Sequence, residues 1–307
     1  MADITLIDGT KLRGALRSDE AMARHVSWRA GGNAECFYQP ADVDDLSVFL
    51  RVLPLDEVIL FVGLGSNLLV RDGGFAGTVI YTHHALTGIS PGPASRGRLS
   101  FEAAAGVPAP HLARFVAKHG GAGAEWMAGV PGTIGGALAM NAGCYGGETW
   151  ENVVAVTTID RHGALHARTG ADFDIGYRHV EAHDKREEWF VSGTFSFDRG
   201  DERAAMARVK ELLMQRVATQ PLNEPNAGSV FRNPPDDHAA RLIEASGLKG
   251  FTVGGAQVST KHSNFIVNVN NATAADIEAV IDHVQKAVRE KTGVELVREV
   301  RIVGNKR

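Results

Sequence analysis

The chain has 307 residues, of which 44% are hydrophobic and 22% charged, and its formal net charge is −4. That length accommodates two or three compact lobes, and the composition argues against a disordered chain. Slight acidity, with no block of about five or six basic residues, excludes a general nucleic-acid surface but leaves room for a local phosphate pocket.

After a short lead, Asp42–Leu53 repeats apolar residues at helical spacing behind acidic first-turn residues. This predicts a helix, ended by Pro54. Val58–Val62 reads as a buried strand. Leu68–Val70 resumes extended chain after a glycine turn, and Gly77–Tyr81 is a further strand, so the first segment is a small α/β lobe. The Gly-, Pro- and Ser-rich stretch from His84 to Arg98 reads as a surface loop. Leu99–Ala104 predicts a strand. Pro108–His119 predicts a helix whose prolines lie in the first turn, where a missing N–H is tolerated. Strands at Val153–Ile159 and Trp189–Phe197 lie on either side of Tyr177–Arg178, and a long helix follows at Asp201–Val217. The last third opens on a polar loop, Pro221–Pro235. It continues with a helix at Asp237–Ser246, a strand at Phe265–Val269, an amphipathic helix at Ala274–Lys291 and a final strand at Val300–Val303. Many strand pairs are separated by loops alone, which points to α+β lobes rather than one doubly wound sheet. No internal repeat is present.

Two glycine-rich turns stand out. Phe61–Val70 contains Gly63 and Gly65 after a strand. A dinucleotide fingerprint needs a third glycine where Leu68 stands, and a helix rather than a strand after it, so the Rossmann reading fails. No Walker motif is present. The turn amides can still form an anion nest, with Ser66 and Asn67 adding hydrogen-bonding groups. A tight hairpin is the plainer alternative. Gly129–Gly147 has seven glycines in nineteen residues. Pro131, Gly132 and Thr133 look like a turn into a helix N-terminus, where unsatisfied amides and the helix dipole favour an anion. Gly135 and Gly136 would let that helix pack tightly against a ligand. Such density costs conformational entropy, which argues for cofactor binding over a purely structural use.

The only cysteines are Cys36 and Cys144. They supply neither a disulfide framework nor a paired-cysteine zinc motif, and two free thiols in a reducing compartment are expected. The twelve histidines form no metal pattern, and no metal is expected. Residues 1–14 carry acids early and lack the apolar core of a secretory signal. Val58–Val70 is too short and too interrupted to span a bilayer. The expected location is therefore the cytoplasm.

Eight segments carry a resemblance. They are Ser27–Gly32 (SWRAGG), Gly63–Leu69 (GLGSNLL), Gly129–Gly136 (GVPGTIGG), Met140–Glu148 (MNAGCYGGE), Gly176–Arg178 (GYR), Ala227–Pro234 (AGSVFRNP), Gly254–Ser259 (GGAQVS) and Arg298–Arg301 (REVR). In this order, from about residue 25 to the end, the chain resembles the UDP-N-acetylenolpyruvoylglucosamine reductase family. Without an inserted stretch after Glu148, it resembles that family's shorter class. The resemblance implies an α+β fold of three lobes. Residues 1–83 and 84–218 would form a vanillyl-alcohol-oxidase-like FAD-binding unit. Residues 219–307 would form a substrate-binding α/β lobe whose last strand, near 299–303, returns to the active site.

The implied reaction has two halves: NADPH gives hydride to FAD, and reduced FAD gives hydride to the enolpyruvyl double bond of a UDP-sugar. The resemblance places FAD on Gly63, Gly65, Ser66, Asn67 and Leu68 of the first turn. In the second it uses Gly129, Pro131, Gly132, Thr133, Gly135, Gly136, Asn141, Gly143 and Gly147. Hydride addition leaves carbanion or enolate character next to a carboxylate, which needs charge stabilisation and then a proton. By resemblance Ser229 donates that proton, a role that depends on placement more than acidity. Arg178 offers a rigid fork to the carboxylate or enolate. Glu299 supports the enolate through a proton or shared hydrogen bond on its carboxyl. Taken singly, the three could be a turn serine, a surface ion pair with Asp174 or Glu181, and an arginine-paired edge residue.

Tyr177, Gln220 and Asn233 match substrate contacts by motif position. Arg232, Arg241, Lys249 and Lys261 are further donors for the substrate phosphates. Arg232 stands where the family often has lysine, so a bidentate contact would replace a point charge. Cys144 stands where many members have alanine. Expected partners are small molecules only, with the chain acting as a monomer apart from nucleic acid and membrane. Two rival readings share the glycine turns: a small-alcohol oxidase of the same fold, and a non-catalytic flavin-binding module. Neither requires Ser229, Arg178 and Glu299 together.

Overall fold

A computed structural model describes residues 4–5, 11–93 and 97–307. The chain clusters into two compact units. The first holds residues up to Arg17, Phe37–Gly63 and Thr78–Met214, and the second Ser18–Cys36, Leu64–Gly77 and Gln215–Arg307.

In the first unit, helix α1 (Val43–Val52) forms where the apolar spacing predicts it. Asp42 caps it by accepting from the Asp45 N–H at 2.9 Å, which satisfies an otherwise orphaned donor. Asp45 is buried and receives the Tyr38 hydroxyl at 2.5 Å and the N–H groups of Arg13 and Ala41 at 2.8 and 2.9 Å. A buried carboxylate needs such donors to offset lost hydration. Ile59–Val62 pairs in parallel with residues 78–81 of the strand Phe75–Tyr81.

The larger sheet of this unit is antiparallel, in the order Leu165–Arg168, Val153–Asp160, Glu188–Arg199, Arg98–Ala104, Ile89–Pro91. Its central strand buries Val191, Gly193, Phe195 and Phe197, the two-residue alternation of a sheet with one face on a core. Phe195 and Phe197 share one core with Leu112 and Val116 of α2 (Ala109–Lys118). The expected loop from His84 to Arg98 contains the edge strand Ile89–Pro91, with Pro91 opposite Phe101. Three residues are too few to show an alternating pattern, and proline is tolerated at a sheet edge. Residues 94–96 of that loop lie outside the described ones. Two further helices are α3 (Ile134–Met140) and α4 (Glu202–Thr219), along which the division between units falls.

The second unit packs α5 (Ala239–Ala245) and α6 (Ala274–Thr292) with the sheet Thr252–Val253, Ala256–Val258, Ile266–Asn268. Thr273 and Asp276 form a capping box at the start of α6, and Gly293 ends it at φ +76°, where glycine carries no Cβ penalty. Ile277, Val280, Ile281, Val284 and Val288 make its buried stripe. Trp28 is fully buried in the same core and donates from Nε1 to the Ile266 carbonyl at 2.7 Å. Leu68–Val70 pairs in parallel with Arg301–Val303. Among the described residues, no helix is long and apolar enough to cross a membrane, and no group of three or more His, Cys, Asp or Glu could hold a metal ion.

Arg71 grips Glu278 of α6 with two bonds of 2.9 Å, from Nε and Nη2. The Arg71 guanidinium holds the Glu278 carboxyl below its ordinary range. A depressed carboxyl stabilises the fold above its unfolded pKa, and that contribution is lost as pH falls through the folded value. Glu278→Gln should therefore lower stability by about 1–3 kcal/mol at neutral pH. In denaturant titrations the gap to the unmodified protein should close as pH falls below the ordinary glutamate range.

Candidate functional site

The glycine-dense region lies in the first unit. Thr133 is buried, and a Cβ placed on Gly63 would come 2.1 Å from its Oγ1. Gly63 is therefore glycine because the chain itself leaves no room. Gly135 serves the same end, since a Cβ there would lie 2.9 Å from that of Ala105. The first amides of α3 are not left for an anion, contrary to expectation. Ile134 N–H donates to the Val107 carbonyl and Gly135 N–H to the Ala105 carbonyl, both at 2.8 Å. Loop carbonyls took the donors that the sequence suggested for a phosphate. Gly136 differs: it is exposed, and a Cβ there would meet only Thr133 Oγ1, at 3.8 Å.

Asn141 ends α3 in the left-handed region at φ +45°. Its side chain donates to Glu148 Oε2 at 2.9 Å and to the Gly176 carbonyl at 3.1 Å, and accepts from Trp150 N–H at 3.0 Å. One buried carboxamide thus ties together three segments. Gly143 pairs with Glu148, and Cys144 with Gly147. Cys144 is partly buried, and a Cβ on Gly129 would lie 2.6 Å from its Sγ. At Gly147 a Cβ would strike the Trp126 ring at 2.7 Å.

Arg178 sits with Tyr177 in the two-residue turn between Phe173–Gly176 and His179–Ala182. Its φ is +55°, a conformation that costs a non-glycine residue on the order of 1 kcal/mol. The guanidinium is held by the carbonyls of Asn141 and Gly143, at 3.3 and 3.0 Å, and lies 4.9 Å from the Tyr177 ring centroid. A strained residue retained and braced in this way is a candidate for function.

In the second unit, Gly65 (φ +59°) leaves no room for a side chain. A Cβ would come 2.2 Å from the His25 carbonyl oxygen. The turn is not the bend of a hairpin, because the strands on either side of it take parallel partners elsewhere. Ser66 follows Gly65 in the turn. Asn67 reaches the chain end: its Nδ2 donates to the Glu299 carbonyl at 3.0 Å, and its own carbonyl accepts from Arg301 N–H at 3.0 Å. Leu68 then pairs with Arg301.

The segments that carry Ser229 and Glu299 are bridged by backbone bonds within this unit. Glu299 N–H donates to the Val230 carbonyl at 2.8 Å, and Arg232 N–H donates to the Val297 carbonyl at 2.8 Å. Both Ser229 and Glu299 are partly buried. Gly228 precedes Ser229 at φ +73° and donates its N–H to Asn226 Oδ1 at 3.0 Å.

The substrate candidates are placed variously. Tyr177 is exposed beside Arg178. Gln220 Oε1 accepts from Arg216 at 2.9 Å, and Asn233 Oδ1 caps α5 by accepting from Ala239 N–H at 3.1 Å. Arg232 is partly buried next to Phe231. Arg241 pairs with Asp237, Lys249 with Glu244 at 2.9 Å, and Lys261 Nζ donates to the Val217 carbonyl at 2.6 Å. Asn226 and Asn264, which bracket Ser229, are absent from the candidates read in the sequence. A lone asparagine carries no local signal of what its amide will bond.

Comparison with known proteins gives a consistent result. The family profile described as UDP-N-acetylenolpyruvoylglucosamine reductase, C-terminal domain, matches residues 220–303, and that of an FAD binding domain matches residues 34–168. A UDP-N-acetylenolpyruvoylglucosamine reductase of Thiobacillus denitrificans is 54% identical, over 100% of this chain and 98% of that protein. That of Nitrosomonas eutropha is 55% identical, over 97% and 91% respectively. The crystal structure of the UDP-N-acetylenolpyruvylglucosamine reductase of Thermus caldophilus aligns with a TM-score of 0.76 at 27% identity, covering 94% of this chain and 98% of that one.

The contact between Gly63 and Thr133 is directly testable. Gly63→Ala should cost about 1–3 kcal/mol by overpacking. Adding Thr133→Ala should restore most of the loss in a double-mutant cycle followed by thermal unfolding.

Proposed function

This chain belongs to the UDP-N-acetylenolpyruvoylglucosamine reductase family, and on that footing we propose that it reduces UDP-N-acetylglucosamine enolpyruvate to UDP-N-acetylmuramate. FAD is the bound cofactor and NADPH the hydride donor. The step belongs to peptidoglycan precursor synthesis, and through it to wall growth, cell shape and division. The observation that supports the reading is the backbone bond from Glu299 N–H to the carbonyl of Val230, the residue after Ser229.

The residues present fit FAD. Gly136 is exposed where the chain's own packing does not demand glycine, and bare backbone there allows close approach of a ligand. The backbone of Gly129–Gly136, with Asn141, Gly143 and Gly147, would hold the cofactor, as would the turn from Gly63 to Leu68. The chemistry the bound FAD would supply is acceptance of hydride from NADPH and its delivery to the enolpyruvyl double bond.

Arg178 faces the substrate's carboxylate with a permanently charged planar fork and stabilises the developing enolate. Its carbonyl partners fix the fork before substrate arrives, so little reorganisation is needed. Ser229 gives its hydroxyl proton to the carbon next to the carboxylate, and a strongly basic carbon makes this weak acid sufficient. Glu299 supports the enolate through a shared or protonated carboxyl. Tyr177, Gln220, Arg232 and Asn233 hold the UDP-sugar, helped by Arg241, Lys249 and Lys261. Arg241 and Lys249 would exchange their carboxylate partners for phosphate. The chain works as a monomer on small molecules in the cytoplasm, where UDP-sugars and NADPH are available, with no nucleic-acid or membrane partner.

The test separates the half-reactions. Ser229→Ala should leave bleaching of the flavin by NADPH within about 3-fold of normal while slowing reoxidation by the enolpyruvyl sugar roughly 10²–10⁴-fold. Reoxidation at the normal rate in that variant would remove Ser229 from the reaction.

A further inference from the structure

Ser229 sits between two asparagines. On its N-terminal side, the Asn226 side chain accepts from Gly228 N–H at 3.0 Å and donates to the carbonyls of Pro221 and Glu224 at 3.0 and 2.7 Å. On its C-terminal side stands Asn264, which is almost fully buried. The Asn264 carbonyl accepts from Val230 N–H at 2.9 Å, so it fixes the peptide that begins at Ser229. Its Oδ1 accepts from Phe231 N–H at 3.0 Å, and its Nδ2 donates to the Phe231 carbonyl at 2.8 Å. The acceptor of the Val230–Phe231 peptide is the Val230 carbonyl, which takes Glu299 N–H at 2.8 Å. One peptide plane therefore has the Asn264 carboxamide on its donor side and the Glu299 backbone on its acceptor side.

We propose that Asn264 is a positioning residue for proton delivery, because its carboxamide locks the Val230–Phe231 peptide that sets Ser229 and Glu299 in register. A carboxamide is the side chain this place requires. It accepts from an N–H and donates to the carbonyl of the same residue, as a neighbouring strand would. Aspartate keeps the acceptor but loses the donor when ionised, leaving two oxygens facing each other. When protonated, it regains a donor. The segment carrying Asn264 is fixed in turn. Ser263 Oγ donates to the Ala240 carbonyl at 2.5 Å, and Ser259 Oγ accepts the N–H groups of Lys261 and His262 at 3.1 and 3.4 Å. Misplacement of a reacting group by about 1 Å can cost on the order of 10²-fold in rate, so a lock on this peptide is a lever on the second half-reaction alone.

The inference rests on the reading of Ser229 as proton donor. Asn264→Asp should slow flavin reoxidation by the enolpyruvyl sugar by about 10²-fold at pH 8 while flavin bleaching by NADPH stays within about 3-fold. The ratio of variant to unmodified rate should rise as pH falls and the introduced carboxyl gains its proton. His262 and Glu299, present in both proteins, cancel from that ratio. Asn264→Ala should show the same selective loss without recovery at low pH, and if it fails to fold, Asn264→Asp decides alone. Equal slowing of both half-reactions, or a ratio flat with pH, would make Asn264 a purely structural residue and overturn the proposal. Ser229→Ala run in parallel separates the two ideas. If it leaves reoxidation intact, the proton-donor reading fails and this inference with it. If it blocks reoxidation while Asn264→Asp reoxidises normally, only the positioning role is lost.

Discussion

The parallel pairing of Leu68–Val70 with Arg301–Val303 is the constraint on which the second unit's chemistry depends. It ties an early glycine turn to the chain end, across 232 residues between Asn67 and Glu299. The same register brings the Asn67 side chain to the Glu299 carbonyl. Glu299 thus donates its N–H to one segment and its carbonyl accepts from another. Closing so long a loop is entropically unfavourable, and the burial of Trp28, Leu69 and the stripe of α6 in one core offsets that cost.

The first unit solves a different problem. Its central groups are an arginine in a left-handed turn and a helix end in the same region, Arg178 and Asn141. Each conformation is costly for a side-chain-bearing residue. Each is held by the other's surroundings: Arg178 donates to the Asn141 carbonyl, and Asn141 donates to the carbonyl of Gly176, two residues before Arg178. Glycine is needed nearby for space, at Gly63, Gly129 and Gly147, where a side chain would strike Thr133, Cys144 or Trp126. Glycine density in this region thus has two physical sources: internal packing accounts for most positions, and exposed backbone such as Gly136 is available to a ligand.

Much of this was readable in the sequence. The helices α1, α2 and α6 announce themselves through apolar spacing, first-turn acids, proline placement or a terminal glycine. The eight ordered segments carry the family and its cofactor. Leu68–Val70 and the final strand were read as well, but other short strands were not. Ile89–Pro91 and the pairs around Gly143–Glu148 are too brief for a period to show: the first forms on the edge of the longer strand Arg98–Ala104, and the second is two short segments that pair only with each other. The use of the α3 amides by Val107 and Ala105 was equally hidden, since it depends on a loop more than twenty residues away in sequence. Membership of Ser18–Cys36 in a unit with the C-terminal third is a tertiary fact that no local pattern states. Asn226 and Asn264 were missed because their importance lies in which backbone groups they meet.

The most direct test of the central claim is an anaerobic titration of the purified protein followed by its visible spectrum. The protein should carry, or take up, one flavin. Its absorption should bleach with NADPH and return on adding the enolpyruvyl UDP-sugar, with UDP-N-acetylmuramate as product. A protein that binds no FAD, or a reduced flavin that reoxidises only with oxygen, would contradict the account.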